Sequence, residues 1–310
     1  MDVRSVGEDG WIRRIRERFA KSPARLGIGD DAAVVDIPAG SSVVACSDLV
    51  VENTHFLRNL HPPDSVGYKA VAVNVSDVGA MAGVPLYFMI SMSAPPDLDW
   101  SWVEGFYNGV EVACSKFGVA LIGGDTSSSD RIFVDVSMIG HAPGGRVVCR
   151  SGARPGEGIY LTGTLGGSSL GLELLQQGES LDHPAVHRHL YPEPRHRVGR
   201  ALIAKATAMI DISDGLSTDL GHLVEESTVS ARIFRNMLPV FNGATDRQVL
   251  HGGEEYELLF TGMSLPASMD GIPVTRIGEI FAAAGAPQVV LVDRTSESVL
   301  TPSGWQHFER

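Results

Sequence analysis

Five carboxylate-bearing segments lie in apolar, glycine-rich surroundings along this chain: Gly29-Asp30-Asp31, Ser47-Asp48, Ser76-Asp77, Gly123-Gly124-Asp125 and Asp211-Ile212-Ser213-Asp214. Acids at the ends of buried elements are disfavoured singly by desolvation and collectively by like charge. A fold that brings them together therefore calls for a cation. Mg²⁺ suits the residue types, since it takes oxygen ligands, keeps several waters and is usually shared between a few carboxylates and substrate phosphates.

The length of 310 residues exceeds one comfortable core, so two domains of about 150 residues each are expected. With 35 glycines and 20% charged residues, the chain reads as a loop-rich α/β protein. A net charge of −12 argues against nucleic acid or an anionic membrane as partner, because backbone-phosphate binding needs clustered Lys and Arg. A nucleotide remains compatible when metal ions neutralise it. Cys46, Cys114 and Cys149 are far apart in sequence, which suggests neither a disulfide framework nor a zinc site and fits a reducing cytoplasm. No stretch approaches the ~20 apolar residues of a membrane span, and no charged region followed by an apolar run opens the sequence.

Periodicity predicts a basic amphipathic helix over 10–20, with Trp11, Ile12, Ile15 and Phe19 at helical spacing. A strand over 42–51 carries Ser47-Asp48, and a helix over 65–81 places Asn74 and Asp77 three apart on one face. Then come a strand over 86–93, a helix over 100–117, a strand over 119–123 ending at Gly124-Asp125, and a strand over 132–141. Turn formers over 142–156 mark the domain boundary, giving domains 1–142 and 148–310. In the second, a strand over 159–162 leads through the glycine turn 163–168 to a helix over 169–176. A helix over 197–207, a strand over 209–212, a helix over 216–226 and strands over 256–261 and 289–292 follow.

Two nucleotide motifs fail on context. Residues 27–32 fit G-x-G-x-x-A, with Asp48 at about the distance of a ribose-binding acid, but no apolar strand precedes them and paired aspartates would repel a pyrophosphate. The turn 163–168 lacks the Gly-Lys-Ser/Thr ending of a phosphate-binding loop and reads as a tight strand-to-helix connection.

Taken in order, Gly27-Ile28-Gly29-Asp30-Asp31-Ala32, Asp48 with Asn53-Thr54-His55-Phe56, Ala72-Val73-Asn74-Val75-Ser76-Asp77, Ile122-Gly123-Gly124-Asp125-Thr126, Asp211-Ile212-Ser213-Asp214-Gly215-Leu216 and Gly252-Gly253-Glu254-Glu255-Tyr256-Glu257-Leu258 resemble the thiamine-monophosphate kinase family. The resemblance runs over nearly the whole chain. It implies the two-domain α/β (α+β) fold of aminoimidazole ribonucleotide synthetase, direct transfer of the ATP γ-phosphate to thiamine monophosphate, several Mg²⁺ ions, and a homodimer formed through the amino-terminal domains.

By that resemblance Asp31, Ser47, Asp48, Asp77, Asp125, Asp211 and Asp214 hold metal, and Asp48, Asp77 and Asp125 face the reacting groups. Asp30 either ligates directly, orients its neighbour or caps the following turn. Cys46 occupies a position that often bears a hydroxyl; a thiol is a poor Mg²⁺ ligand, so any contact there falls to the backbone carbonyl. ATP contacts are expected from Tyr107, Gly124, Asp125, Arg150 and Ser213, and substrate contacts from His55, Glu254 and Trp305. Asp36, Glu52 and Asp97 read as solvated surface. Selenophosphate synthesis would call for a reactive Cys or selenocysteine with a Lys in a glycine-rich amino-terminal segment, which is absent. Aminoimidazole ribonucleotide synthesis fits the fold, but the segments around His55 and Glu254 favour the thiamine enzyme. A non-catalytic nucleotide or ion sensor should have lost ligand acids, and the main ones remain.

Overall fold

Strands whose burial alternates with period two build the first part of the molecule. The computed structural model describes residues 1–29, 31–294 and 296–308. They fall into two units, Met1–Val78 with Gly83–Gly145, and Gly79–Ala82 with Arg146–Arg310.

In the first unit the order is α1 (Val3–Arg18), β1 (Ser41–Val51), α2 (Pro63–Ala80), β2 (Val84–Ala94), α3 (Trp100–Phe117), β3 (Ala120–Ser128) and β4 (Phe133–Pro143). The sheet order is β1-β4-β2-β3. Only β2 and β3 run parallel, because α3 carries the chain back between them. Laddered residues share a face, and Val50, Phe88, Ile90, Met92, Val134, Val136 and Met138 are all buried on one side. The other side leaves Val43, Leu49 and Met89 exposed beside Ser47, Ser91 and Asp125. The expected helix over 10–20 belongs to a longer one kinked at Gly7 (φ 68°), with Trp11 and Ile15 buried and Ile12 outside. β3 also runs further than expected, so Asp125 lies within the strand rather than beyond it.

Helices α2 and α3 cross at glycine contacts. A Cβ on Gly67 would stand 1.9 Å from the Phe106 carbonyl oxygen, and one on Gly109 would stand 1.8 Å from that of Asp64. Backbone cannot yield as a side chain can. Gly109→Val should therefore lower unfolding free energy by about 3 kcal/mol or more, the upper range for overpacking, as read from a denaturant midpoint; an unchanged midpoint would show that the helices can separate freely.

The second unit contains β5 (Gly158–Thr162), α4 (Gly167–Gln176), α5 (Pro184–Leu190), α6 (His196–Ala201), β6 (Met209–Asp211), α7 (Leu216–Ser227), β7 (Ser230–Phe234), α8 (Asp246–His251), β8 (Leu258–Gly262), β9 (Ser268–Met269), β10 (Ile272–Phe281), β11 (Val289–Asp293) and β12 (Ser296–Val299). Among the described residues the sheet runs β12-β11-β7-β10-β5-β8-β6, with β9 beside β10. Its core joins Ile159, Leu161, Ile210, Ile212, Leu216, Leu220, Ile233, Leu259 and Ile277. The helix expected over 197–207 is only α6, after which Lys205 N–H turns back to the Leu202 carbonyl. Among the described residues no helix is long and apolar enough to cross a membrane.

Candidate functional site

The first unit divides the expected acids between the two faces of its sheet. On the buried face, Cys46 and Asp48 of β1 meet α2. The Cys46 thiol lies 3.5 Å from both the carbonyl and the Oδ1 of Asn74, and Asn74 Nδ2 donates to the Ala70 carbonyl at 3.1 Å. Asp48 is hydrogen-bonded to Asp77. Burial pushes the Asp48 carboxyl above its ordinary value, the Asp77 bond opposes this, and the charge of Asp135 adds to the rise. Two carboxylates this close need a shared proton or a cation between them.

On the open face, Ser47 Oγ donates to Asp135 at 2.7 Å, and Ser137 Oγ donates to the other oxygen of Asp135 at 3.1 Å. Ser91 stands between Asp135 on β4 and Asp125 on β3 in the ladder. Gly124 has φ 151°, and a Cβ there would fall 1.8 Å from the Ile90 carbonyl oxygen, so glycine lets β3 lie against β2 at this point. Asp31 is exposed on the bend before Val34, and Asp30 lies outside the described residues.

No group of three or more His, Cys, Asp or Glu among the described residues is gathered closely enough to hold a metal unaided. The chain supplies pairs of oxygen donors, and Mg²⁺ is commonly completed by water and substrate phosphate. The donor set fits that ion. Cys46 directs its thiol to Asn74.

His55 sits on the turn after β1, where its Nδ1 accepts the Val51 N–H at 3.0 Å. Asn53, in the same turn, has φ 66°. Glu52, expected to be solvated, is instead buried: it accepts the Ile132 N–H at 2.9 Å and pairs with Arg58 at 2.9 Å, bracing this turn. Its carboxylate substitutes for strand pairing at the end of β1, a role that sequence spacing does not reveal. Tyr107 lies in the α1–α3 core against Phe19 and Phe106, and burial lifts its phenol to about 12. It borders a cavity of about 410 Å³ shared with Arg14, Arg18 and Trp100, apart from the acids.

The second unit brings its expected residues together. Glu254 N–H donates to the Ser213 carbonyl at 2.7 Å, Tyr256 N–H to that of Ile212 at 2.8 Å, and Trp305 N–H to that of Asp214 at 3.1 Å. Arg150 lies close enough for its charge to act on Asp214. Burial raises the Asp214 carboxyl, against His222, His307 and Arg150, which draw it down. Asp211 is buried at the end of β6.

Two family descriptions match: AIR synthase related protein, N-terminal domain, over 29–142, and its C-terminal domain over 154–284. The thiamine-monophosphate kinase of Bacillus subtilis (strain 168) is 34% identical over 309 residues, 93% of this chain and 95% of its own. That of Escherichia coli (strain K12) is 38% identical over 302 residues, 90% and 91% of the two chains. The chain belongs to the thiamine-monophosphate kinase family. Its fold is the two-domain AIR synthase-like α/β fold expected from sequence. A solved structure described as AaThiL complexed with AMPPCP and TMP superposes with a TM-score of 0.78 at 35% identity, covering 99% of each chain.

Several site neighbours escaped the sequence reading of this thiamine-monophosphate kinase family member. Asp135 and Ser137 alternate on β4, a signal visible as two polar residues two apart in an apolar strand. Asp219 is buried and accepts the N–H groups of Ser213, Asp214 and Gly215 at 3.1, 3.1 and 3.0 Å, so it holds the acid turn in shape. Burial, then the charges of Asp214 and Asp211, raise its carboxyl well above the usual range despite those bonds. Glu255 and Glu257 bind Arg188 and Arg195 across ~60 residues of sequence, and no local pattern announces such a pairing.

Proposed function

We propose that this chain transfers the γ-phosphate of ATP to thiamine monophosphate, forming thiamine diphosphate and ADP. The observation that carries this reading is the relative solved with AMPPCP and TMP, which aligns from end to end with the residues described above. An oxygen of the acceptor phosphate attacks the γ-phosphorus as the bond to the β-bridging oxygen breaks. A phosphate monoester is largely ionised near neutral pH, with a second pKa of about 6, so no general base is required.

In this reading Ser47, Asp48, Asp77 and Asp125 of the first unit, with Asp30, Asp31 and the Cys46 carbonyl, hold Mg²⁺, and Asp211 and Asp214 hold it in the second. When bound, the metal neutralises the phosphate oxygens and aligns donor with acceptor. Arg150 offers a guanidinium fork to phosphate. Gly124, Asp125 and Ser213 contact the nucleotide, and His55, Glu254 and Trp305 contact the acceptor. Tyr107 is the weaker candidate for contact with the base or ribose, because its ring is largely buried in the α1–α3 core. Domain 1–142 carries the metal and ATP sites and forms a homodimer, supported by the exposed Val43, Leu49 and Met89 on its open sheet face; domain 148–310 completes the enzyme, which works in the cytoplasm. Purified protein with ATP, Mg²⁺ and thiamine monophosphate should yield thiamine diphosphate on chromatography. ADP formation at the same rate with and without thiamine monophosphate would contradict the assignment.

Trp305 gives a selective test. An indole face suits a flat thiazolium cation, an attraction worth about 0.5–2 kcal/mol depending on desolvation. Trp305→Ala should raise the KM for thiamine monophosphate several-fold while leaving that for ATP unchanged, and Trp305→Phe should recover much of the loss. Equal weakening of both substrates would make Trp305 a packing residue.

A further inference from the structure

The glycine turn 163–168 lacks the ending of a phosphate-binding loop, yet Gly163 and Gly167 face one set of charged side chains. A Cβ on Gly163 would lie 2.1 Å from Glu257 Oε1, and one on Gly167 would lie 2.5 Å from Arg188 Cδ. Glu257 is saturated: Oε1 accepts from Arg188 Nη2 at 3.0 Å and Arg195 Nη2 at 2.7 Å, and Oε2 from Arg195 Nε at 2.7 Å and Thr162 Oγ1 at 2.6 Å. Glu255 accepts from Arg188 Nε at 2.9 Å and from the Ser168 N–H at 3.0 Å. Arg188 Nη2 also donates to the Thr164 carbonyl at 2.7 Å. One guanidinium thus ties the turn to both carboxylates that flank Tyr256. Beside it, His189 Nδ1 lies 3.1 Å from Ser168 Oγ and 3.4 Å from Glu254 Oε2.

The segment so tied is one that needs bracing. Glu254 and Tyr256 have φ of 58° and 53°, a region unfavourable to residues with side chains that persists only where the surroundings enforce it, typically at functional sites. Their N–H groups are the ones that reach Ser213 and Ile212. A buried ion network is not required for stability, since packed apolar residues often serve as well. What Arg188 adds is a rigid fork that a lysine cannot reproduce.

We propose that Arg188 is a positioning residue for acceptor recognition: through Glu255 and Glu257 it fixes the backbone from which Glu254 reaches the substrate, in register with residues 212–214. This rests on Glu254 contacting thiamine monophosphate, as proposed above. Arg188→Lys keeps the charge and loses the fork. It should raise the KM for thiamine monophosphate about 10-fold with the KM for ATP unchanged, and in a double-mutant cycle it should add nothing to Glu254→Ala. A lowered thermal midpoint with both KM values unchanged would overturn the proposal, as would effects that simply add. If Glu254→Ala itself leaves the KM for thiamine monophosphate unaltered, the Glu254 assignment fails and takes the proposal with it; if Glu254→Ala raises it and Arg188→Lys does not, only the Arg188 role fails. Should Arg188→Lys not fold, Arg188→Gln with Glu255→Gln removes opposite charges together and is judged on the same KM values.

Discussion

Replacing Asp77 by Asn should lower turnover at least about 100-fold while the fold persists, the scale of losing one strong electrostatic contact to a transition state. Asp77 projects from α2 toward Asp48, and burial together with Asp135 already raises the Asp48 carboxyl. An amide keeps the shape and one acceptor oxygen but carries no negative charge for a cation. The amide can still donate a hydrogen bond to the Asp48 carboxylate, so the variant keeps this contact and its fold. The comparison is kcat at saturating ATP and thiamine monophosphate over a Mg²⁺ series, with circular dichroism to confirm the fold. Near-parental kcat at saturating Mg²⁺ would remove Asp77 from the reacting centre.

Glu257→Ala should strongly destabilise the second unit. It strips the carboxylate from Arg195 and removes one partner of Arg188, and a broken buried ion pair costs about 3–5 kcal/mol because the remaining charge is uncompensated. Burial pushes the Glu257 carboxyl up, but the bonds and charges of Arg195, then Arg188 and Thr162, outweigh it and hold it below its ordinary value of 4.5. A carboxyl depressed on folding stabilises the protein above its unfolded pKa, and that contribution is lost as pH falls through the folded value. Acid unfolding of the parent should therefore include a step below pH 4.5 that Glu257→Ala lacks. Equal denaturant midpoints at pH 7 for parent and variant would show that the arginines find water or other partners.

The elements legible in the sequence were those whose own periodicity matched their burial. Helix α3 falls on Trp100–Phe117 as expected, because Trp102, Val103, Phe106 and Val110 repeat on one buried face. Strand β10 was missed because Pro273 and Gly278 interrupt its pattern; Gly278 is needed where the strand bulges against the Arg232 carbonyl. Site residues stood out where several acids share short glycine-rich segments. The residues that shape those segments did not: Asp219 looks like one more helical polar residue, and Arg188 and Arg195 lie in a stretch of histidines and prolines whose partners are set only by the tertiary fold. That the acids of the first unit occupy both sheet faces follows from the strand registers, which set Asp48 opposite buried Val136 and place Asp125 and Asp135 on either side of Ser91 on the other face.

Direct transfer of phosphate is tested most plainly by following the label from γ-labelled ATP in a rapid-quench experiment with Mg²⁺ and thiamine monophosphate. All transferred label should appear in thiamine diphosphate, and with the acceptor omitted none should remain on denatured protein. Label on the protein that chases into thiamine diphosphate, or release of labelled inorganic phosphate in place of thiamine diphosphate, would contradict it.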